Sequence, residues 1–301
     1  LLADEEFRTR QAPNCLLTVG RFGISRPLMK LVALADHHLA VNVGGKDRPD
    51  PLRTAATILP AVPRPPDGDP VVGRAPRDDR WLRDWLTKSS EAQQRVGAAI
   101  ADGPFSGLAV TATCWAGMDS DDLIFAAASR TVRNLEATMT PRHFPPWVIG
   151  NRGTSGIDGL VSTAWGAAVA HQRQSPDGRT VAILGDLAFL HDHNGLLAPS
   201  VEQRPNLTIV VADNNGGGIF SSLEQGDSDF VADFERVFGT PHDLDLEEIA
   251  RAAGITTTSV TDAEQLAVAL GRDSDGVQII IARTIDREAE QSQWAGLLRG
   301  R

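Results

Sequence analysis

Residues 180–187 read TVAILGDL, and residues 207–220 read LTIVVADNNGGGIF. Each stretch is a short apolar run, rich in Val and Ile, that ends in Gly, Asp or Asn, which is typical of a buried strand followed by a turn. Further apolar runs lie at residues 123–128, 147–149, 255–260 and 277–282. Helical patterns separate these runs, near residues 129–138, 157–172, 192–199, 245–253 and 262–271. This alternation predicts an α/β fold in which residues 106–301 form a doubly wound parallel sheet, covered by helices on both faces.

The sequence before residue 106 predicts a smaller α/β piece and a linker. Apolar runs at residues 15–19 and 39–43 read as strands, and Ser25 is a candidate N-cap for a helix between them. Prolines are then frequent, at Pro60, Pro63, Pro65, Pro66, Pro70 and Pro76. Residues 1–76 are therefore predicted to be a partial Rossmann-like α/β domain with a Pro-rich linker. Residues 77–105 are predicted to be a connecting helix.

Composition excludes several classes of function. The 301 residues carry a formal net charge of -10, which argues against nucleic acid as the main partner because phosphate contacts need a basic face. Cys15 and Cys114 make no disulfide framework, which fits a cytoplasmic protein. The sequence has neither a run of 18 apolar residues nor a signal-peptide pattern, so no membrane span is expected. The start at Leu1 rather than Met suggests a fragment or a processed chain.

Asp186 and Asn214 each follow a predicted strand and are candidate metal ligands. The 27 residues between them provide a crossover helix and the next strand, so both side chains are expected at the same edge of the sheet. Mg²⁺ binds hard oxygens, here a carboxylate, an amide oxygen and a backbone carbonyl near Gly216. The alternative is that both segments are ordinary turns. Finding both at this spacing favours a metal and diphosphate site, while the missing G-x-G-x-x-G pattern weakens a dinucleotide interpretation.

Polar residues also follow two other predicted strands. Ser129 and Arg133 come after residues 123–128, and Arg152 comes after residues 147–149. Because guanidinium groups bind carboxylates through two parallel hydrogen bonds, these positions predict a carboxylate substrate, although solvated surface arginines remain the alternative. The neighbouring His191, Asp192 and His193 resemble a metal cluster. Adjacent helical residues do not face one another, so we expect His191 and Asp192 to start the crossover helix instead.

These motifs resemble a known enzyme family. Gly185-Asp186, followed by Asn214-Asn215, resembles the metal-binding motif of thiamine-diphosphate enzymes. Leu187, the block NRGTSGIDG at residues 151–159 and the block NNGGGIF at residues 214–220 are similar to the 2-succinyl-5-enolpyruvyl-6-hydroxy-3-cyclohexene-1-carboxylate (SEPHCHC) synthase family. The resemblance runs from about residue 14 to the end and is densest over residues 129–240. It implies the thiamine-diphosphate-binding fold, preceded by part of the family's central domain.

The resemblance implies a transferase that joins decarboxylated 2-oxoglutarate to isochorismate in menaquinone biosynthesis, releasing CO₂. It implies thiamine diphosphate and Mg²⁺, or Mn²⁺, as cofactors. The implied metal ligands are Asp186, Asn214 and Gly216, and Gly185 and Leu187 are implied to bind the cofactor with them. Ile157 is the implied catalytic residue, because a rigid β-branched side chain beneath the cofactor enforces its bent conformation.

The resemblance also implies a substrate pocket. The residues it assigns to that pocket are Arg26, Ser129, Arg133, Arg152, Ile219, Phe220 and Leu223. Arg21 competes with Arg26 for the role of the arginine that comes from the central domain. Ordinary core packing is an equal explanation for Leu223.

In the family, a glutamate of a separate pyrimidine-binding domain activates the cofactor across a dimer interface. Nothing before residue 14 corresponds to that domain. We therefore expect the chain to need a pyrimidine-binding domain from another segment or subunit, and to form a homo-oligomer, a homodimer, when complete. Two alternatives stay open: a thiamine-diphosphate decarboxylase or acetolactate-type synthase, and a non-catalytic fragment that binds the cofactor.

Overall fold

The computed structural model describes residues 1–20, 25–43, 49–62, 79–151, 153–199, 201–271 and 276–299. The chain divides into two compact units, one of Leu1–Arg95 with Gly296–Arg301 and one of Val96–Ala295. In the described ranges no helix combines the length and the hydrophobicity needed to cross a bilayer. The domain limits at residues 76 and 105 stay predictions.

The first unit contains a small parallel sheet. Its strands pair in the order β1 (Cys15–Val19), β2 (His37–Val41) and β3 (Thr57–Leu59). Its helices are α1 (Glu5–Arg10), α2 (Arg26–Ala33) and most of α3 (Asp79–Ala101). The predicted cap of α2 is present, since the Ser25 hydroxyl accepts a hydrogen bond from the Leu28 N–H at 3.4 Å. The second strand begins and ends two residues earlier than predicted.

The second unit is built on a six-stranded sheet in which every paired strand runs parallel. The strands are β4 (Leu123–Ala126), β5 (Trp147–Ile149), β6 (Thr180–Gly185), β7 (Leu207–Asp213), β8 (Thr256–Val260) and β9 (Val277–Arg283). Their order across the sheet is β5-β4-β6-β7-β9-β8. The predicted α/β fold is confirmed.

Helices cover both faces of this sheet, as a doubly wound fold requires. The helices after α3 are α4 (Gly107–Ala116), α5 (Arg130–Thr138), α6 (Leu160–Gln174), α7 (Asp186–Asp192), α8 (Val231–Phe234), α9 (Leu246–Ala252), α10 (Ala263–Leu270) and α11 (Arg287–Arg299), of which α4, α5, α6, α7, α9 and α10 pack on the sheet. Successive residues of β6 enter different cores, because strand side chains alternate between faces. Ala182 and Leu184 pack with residues of α6, α7 and α9. Val181 and Ile183 pack with residues of α4, α5 and α10.

The predicted start of the crossover helix is wrong. The chain enters α7 at Asp186, directly after β6, and Asp192 ends this helix instead of starting one. A 3₁₀ turn over His193–Leu196 follows where a helix near 192–199 was expected. Asp192 accepts hydrogen bonds from the backbone N–H (2.7 Å) and the hydroxyl (3.2 Å) of Ser162. It thereby fixes the first turn of α6.

Two other elements differ from the prediction. The edge strand β5 is exposed at Trp147 (67%), Val148 (41%) and Ile149 (40%), so the expectation that every strand is covered on both faces fails at this edge. The helix α4 was not predicted, because its sequence GLAVTATCWA is apolar on nearly every side and lacks the period of an amphipathic helix.

The order of the strands places a crevice at one end of the sheet. From β4 the chain passes to β5 on one side and returns to β6 on the other. In open α/β sheets, ligands bind at the carboxyl ends of the strands where the order reverses in this way. Ser129 follows β4 and Asp186 follows β6, so both lie at this reversal.

We predict that Leu266 contributes strongly to stability and that Val268, on the same helix α10, does not. Leu266 is fully buried, whereas Val268 is 56% exposed. Leu266→Ala should lower the free energy of unfolding by about 2–5 kcal/mol, because it leaves a cavity in the core. Val268→Ala should change it by less than about 0.5 kcal/mol. Guanidinium denaturation of both variants checks this, and equal losses would contradict the packing of α10.

Candidate active site

A cavity of about 400 Å³ opens at the carboxyl ends of β4, β6 and β7. Its lining includes most of the residues that the sequence predicted for the site: Ser129, Arg133, Ile157, Gly185, Asp186, Leu187, Asn214, Gly216, Ile219 and Phe220. The topology of the sheet thus gathers side chains that are far apart in the sequence around one space.

The structure describes two of the remaining predicted site residues, Leu223 and Arg26. Leu223 is half-buried but is not among the described residues that line the cavity. Arg26 is the first residue of α2, and its side chain is exposed. It belongs to the first unit, whereas the residues that line the cavity belong to the second. Arg152 and Arg21 lie outside the described residues.

A larger groove, of about 760 Å³, lies along α6 and the segment that leads into β7. Its lining includes Gln172 and Arg173, which precede β6, and Arg204 and Pro205, which precede β7. The groove therefore extends to the amino ends of these strands. Because parallel sheets bind ligands at the opposite end, the smaller cavity is the better candidate.

Asp186 is almost fully buried beside the cavity, with 2% of its surface exposed. Its Oδ1 accepts a hydrogen bond from the Leu187 N–H at 2.6 Å, and its Oδ2 accepts one from the Gly216 N–H at 2.7 Å. The second bond joins the end of β6 to the loop after β7. The carboxylate is thus fixed against the glycine loop by the backbone on both sides.

The loop of residues 216–218 needs glycine for steric reasons. Gly216 has φ of 137°, and a Cβ there would collide with the carbonyl oxygen of Gly239. The Gly217 N–H donates to that same oxygen at 2.8 Å. Among the described residues, the Gly218 N–H donates to the Gly216 carbonyl at 2.9 Å. A carbonyl oxygen has two lone pairs, so it can bind a cation as well as this N–H.

Asn214 contacts a residue that the sequence did not predict. Its side-chain amide nitrogen donates to Oε2 of Glu290 on α11 at 2.8 Å, and the Gly107 N–H donates to Oε1 at 2.6 Å. Burial raises the pKa of Glu290, which is 4% exposed. Glu290 comes 76 residues after Asn214, in no recognisable motif, so no pattern in the sequence could have found it.

Asp186, Asp213 and His242 form a second candidate metal-ligand group, with their ligand atoms within 4.8 Å of one another. His242 Nε2 lies 3.4 Å from Asp186 Oδ2 and 3.8 Å from Asp213 Oδ1. Its Nδ1 accepts a hydrogen bond from the Leu244 N–H at 3.0 Å. Because Nδ1 accepts this hydrogen bond, the ring proton lies on Nε2, and the neighbouring Asp186 carboxylate raises the pKa of His242, so a cation at Nε2 would have to displace that proton.

Two arginines lie at the end of β4. Arg133 donates to the Ser129 carbonyl at 2.6 Å. Arg130, which the sequence analysis missed although it follows Ser129 directly, donates to the Gly218 carbonyl at 2.6 Å and to Gln291 Oε1 at 3.2 Å. Arg130 therefore joins α5 to both the glycine loop and α11, while Arg133 adds a second positive charge beside the cavity.

These residues fit a divalent cation and a diphosphate. The Asp186 carboxylate, the Asn214 amide oxygen and the Gly216 carbonyl are hard oxygen donors at one sheet edge, which is the donor set that Mg²⁺ prefers alongside phosphate oxygens. Two buried carboxylates, Asp186 and Glu290, would repel a diphosphate on their own. A cation between them and the phosphates removes this conflict.

Ser129 has a strained backbone at the edge of the cavity. Its φ of 74° and ψ of -133° lie in a region that residues other than glycine rarely adopt. Such strain costs about 1–3 kcal/mol and is concentrated at functional sites. The strain turns the chain from β4 into α5 and so places Arg130 and Arg133 beside the cavity.

We predict that Ser129→Gly gives a more stable protein than Ser129→Ala, by about 1 kcal/mol. Both variants lose the hydroxyl, but only glycine tolerates the positive φ without strain. Denaturant titrations of the two variants measure the difference. If the alanine variant were as stable as the glycine variant, the backbone at Ser129 would not be strained.

Comparison with known proteins finds a similarity for a part of the chain that contributes much of the lining of this cavity. Residues 136–281 match the family described as "Thiamine pyrophosphate enzyme, C-terminal TPP binding domain". This match includes β5 to β7, the Asp186 and Asn214 motifs and most of β9.

Curated relatives extend the similarity over nearly the whole chain. The SEPHCHC synthase of Thermobifida fusca is 43% identical over 290 residues, which are 96% of this chain and 50% of that protein. The synthase of Saccharopolyspora erythraea is 36% identical over 286 residues, 92% of this chain and 47% of that protein. The chain thus spans about half the length of these relatives. Over residues 136–281 the chain is similar to the C-terminal cofactor-binding domain of thiamine pyrophosphate enzymes, and over most of its length it is similar to the SEPHCHC synthases.

Proposed function

We propose that this chain is the diphosphate-binding part of a SEPHCHC synthase, a transferase that joins decarboxylated 2-oxoglutarate to isochorismate and releases CO₂ in menaquinone biosynthesis. The observation that carries the proposal is the meeting of Asp186 and Asn214 at one cavity. It is supported by relatives that bear this name along nearly the whole chain. The substrates follow from that name and from the carboxylate-binding chemistry of the cavity's arginines.

In this proposal a divalent cation, Mg²⁺ or Mn²⁺, is held by the Asp186 carboxylate, the Asn214 amide oxygen and the Gly216 carbonyl. The hydrogen bonds that Asp186 accepts from the Gly216 and Leu187 N–H groups support it, because they fix the carboxylate before the cation binds. Thiamine diphosphate, when bound, supplies the electron sink for decarboxylation and transfer.

Ile157, Gly185 and Leu187 contact the cofactor in this proposal. Ile157 is half-buried and packs against the core on the α6 side of the sheet, so its side chain is held rigidly at the cavity. A rigid, β-branched side chain suits the role of a support for the bent cofactor. Gly185 and Leu187 flank Asp186 and line the same space.

The substrate carboxylates bind Arg133 and Ser129, which lie together at the end of β4. Ile219 and Phe220 form an apolar wall, and Phe220 packs against Phe238 with ring centroids 5.3 Å apart. Arg152, Arg26 and Leu223 complete the proposed substrate set on the strength of the family resemblance alone.

The active assembly also needs a pyrimidine-binding domain, from another segment or subunit, and is a homodimer when complete. The support for this is that the chain spans about half of its relatives' length. The assembly works in the cytoplasm, a compartment that suits the unpaired Cys15 and Cys114.

One prediction from the proposed function concerns the cation. Asp186→Asn, which keeps the shape of the side chain, should weaken Mg²⁺-dependent binding of thiamine diphosphate by more than about a hundredfold, since loss even of residues that only orient metal ligands costs about 10–100-fold. Calorimetry of the folded variant measures the loss. Asp177→Ala is the control, because Asp177 is an exposed carboxylate in the turn before β6. Unchanged affinity in the Asp186 variant would remove the metal assignment.

Another prediction from the proposed function concerns the substrate. Arg133→Ala should lower kcat/KM about ten- to a hundredfold in the complete assembly, because a charge-assisted hydrogen bond contributes about 1.5–3 kcal/mol. Affinity for thiamine diphosphate should stay the same. Arg173→Ala, which removes an exposed arginine, serves as the matched control. If the variant bound thiamine diphosphate weakly but kept a normal kcat/KM for substrate when saturated with the cofactor, Arg133 would bind the diphosphate instead.

A further inference from the structure

Glu290 occupies an unexpected place for a carboxylate. It lies on α11, is 4% exposed and lines a cavity that already contains the Asp186 carboxylate. Burying a charge is unfavourable unless hydrogen bonds compensate for the lost water, and a second carboxylate also opposes the binding of an anionic cofactor. A structural or functional advantage must therefore offset the cost of Glu290.

One oxygen of Glu290 is held by α4. Oε1 accepts the Gly107 N–H at 2.6 Å, at the first residue of that helix. The N-cap residue Ser106 makes no capping hydrogen bond with its side chain, so Glu290 takes over the role of an N-cap from 183 residues away. A Cβ at Gly107 would come within 2.9 Å of this oxygen, so a larger residue there would displace the Glu290 carboxyl group.

The other oxygen determines which way the Asn214 amide faces. The Asn214 side-chain nitrogen is the atom that faces this oxygen, and it donates a hydrogen bond to Oε2 at 2.8 Å. The amide oxygen is then turned away from Glu290. An asparagine rotated by half a turn would present its NH₂ group to the cation, and an NH₂ group does not bind Mg²⁺.

We propose that Glu290 is a positioning residue for the metal site: anchored to the start of α4 through Gly107, it holds Asn214 with its amide oxygen directed to the cation. This inference rests on the proposed function, because it assumes that Asn214 is a metal ligand. It adds a residue to the site that no motif in the sequence indicates.

Exchanging the hydrogen-bonding groups tests the proposal. In Glu290→Gln, the new amide oxygen accepts the Gly107 N–H, so its NH₂ group faces Asn214 and favours the rotated asparagine. In Asn214→Asp, two carboxylates face each other. In the double variant, the glutamine amide at position 290 donates to the aspartate carboxylate at position 214, whose second oxygen is again free for the cation.

The measurement is calorimetric binding of thiamine diphosphate to the 301-residue chain over a series of Mg²⁺ concentrations. Each single variant should need about ten- to a hundredfold more Mg²⁺ for half-saturation, and the double variant should regain at least about tenfold. Glu288→Gln is the matched control, because Glu288 lies in the same helical turn but is exposed. Denaturation of every variant separates loss of binding from loss of folding.

The outcomes distinguish the two proposals. Wild-type chain that binds no cofactor with saturating Mg²⁺ would overturn the proposed function and this inference with it. Wild-type binding that depends on Mg²⁺, combined with an unchanged Mg²⁺ requirement in Glu290→Gln, would overturn only the role of Glu290. If Glu290→Gln lost binding and the double variant did not recover it, the role of Glu290 would also be overturned. A residue with only a structural role would give this result, because a change at position 214 could not replace the structural contact that it makes.

Discussion

The parallel pairing of β6 with β7, in the register that places Gly185 opposite Ala212, is the constraint on which the rest of the site depends. It brings Asp186 and Asn214 to the same sheet edge although 27 residues separate them. The Gly216 N–H then reaches the Asp186 carboxylate at 2.7 Å. Sliding one strand by a single residue would turn its side chains to the opposite face and separate these groups. The two cores that pack on β6 therefore stabilise the fold and also fix the spacing of the proposed metal ligands.

Around this pair, three segments remote in sequence hold the glycine loop in place. Arg130 reaches Gly218 from α5, Glu290 reaches Asn214 from α11, and the Gly239 carbonyl accepts the Gly217 N–H. Each interaction uses a backbone or side-chain group that would otherwise be buried without a partner. The loop is thus preorganised by contacts on several sides, which lowers the entropy lost when a cation and a diphosphate bind.

Local periodicity and the rule that ligands bind at strand ends predicted the parallel sheet and the gathering of Asp186, Asn214 and Ser129, whereas Ile157 was expected from the family resemblance. It could not predict Glu290, whose partners Gly107 and Asn214 are 183 and 76 residues away. It also misplaced the crossover helix at Asp192, since nothing local shows that α7 starts directly at Asp186. The all-apolar α4 lacked a helical period and was missed for that reason.

The central claim is that oxygens of Asp186, Asn214 and Gly216, together with the diphosphate, surround the cation, and that His242 does not bind it. Electron–nuclear double resonance of Mn²⁺, added to the 301-residue chain with thiamine diphosphate, tests this directly. We expect strong coupling of the Mn²⁺ electrons to phosphorus and no coupling of the size that a directly bound nitrogen gives. A directly bound nitrogen would place the cation in the group of Asp186, Asp213 and His242 and contradict this account. Absence of coupling to phosphorus would contradict it equally.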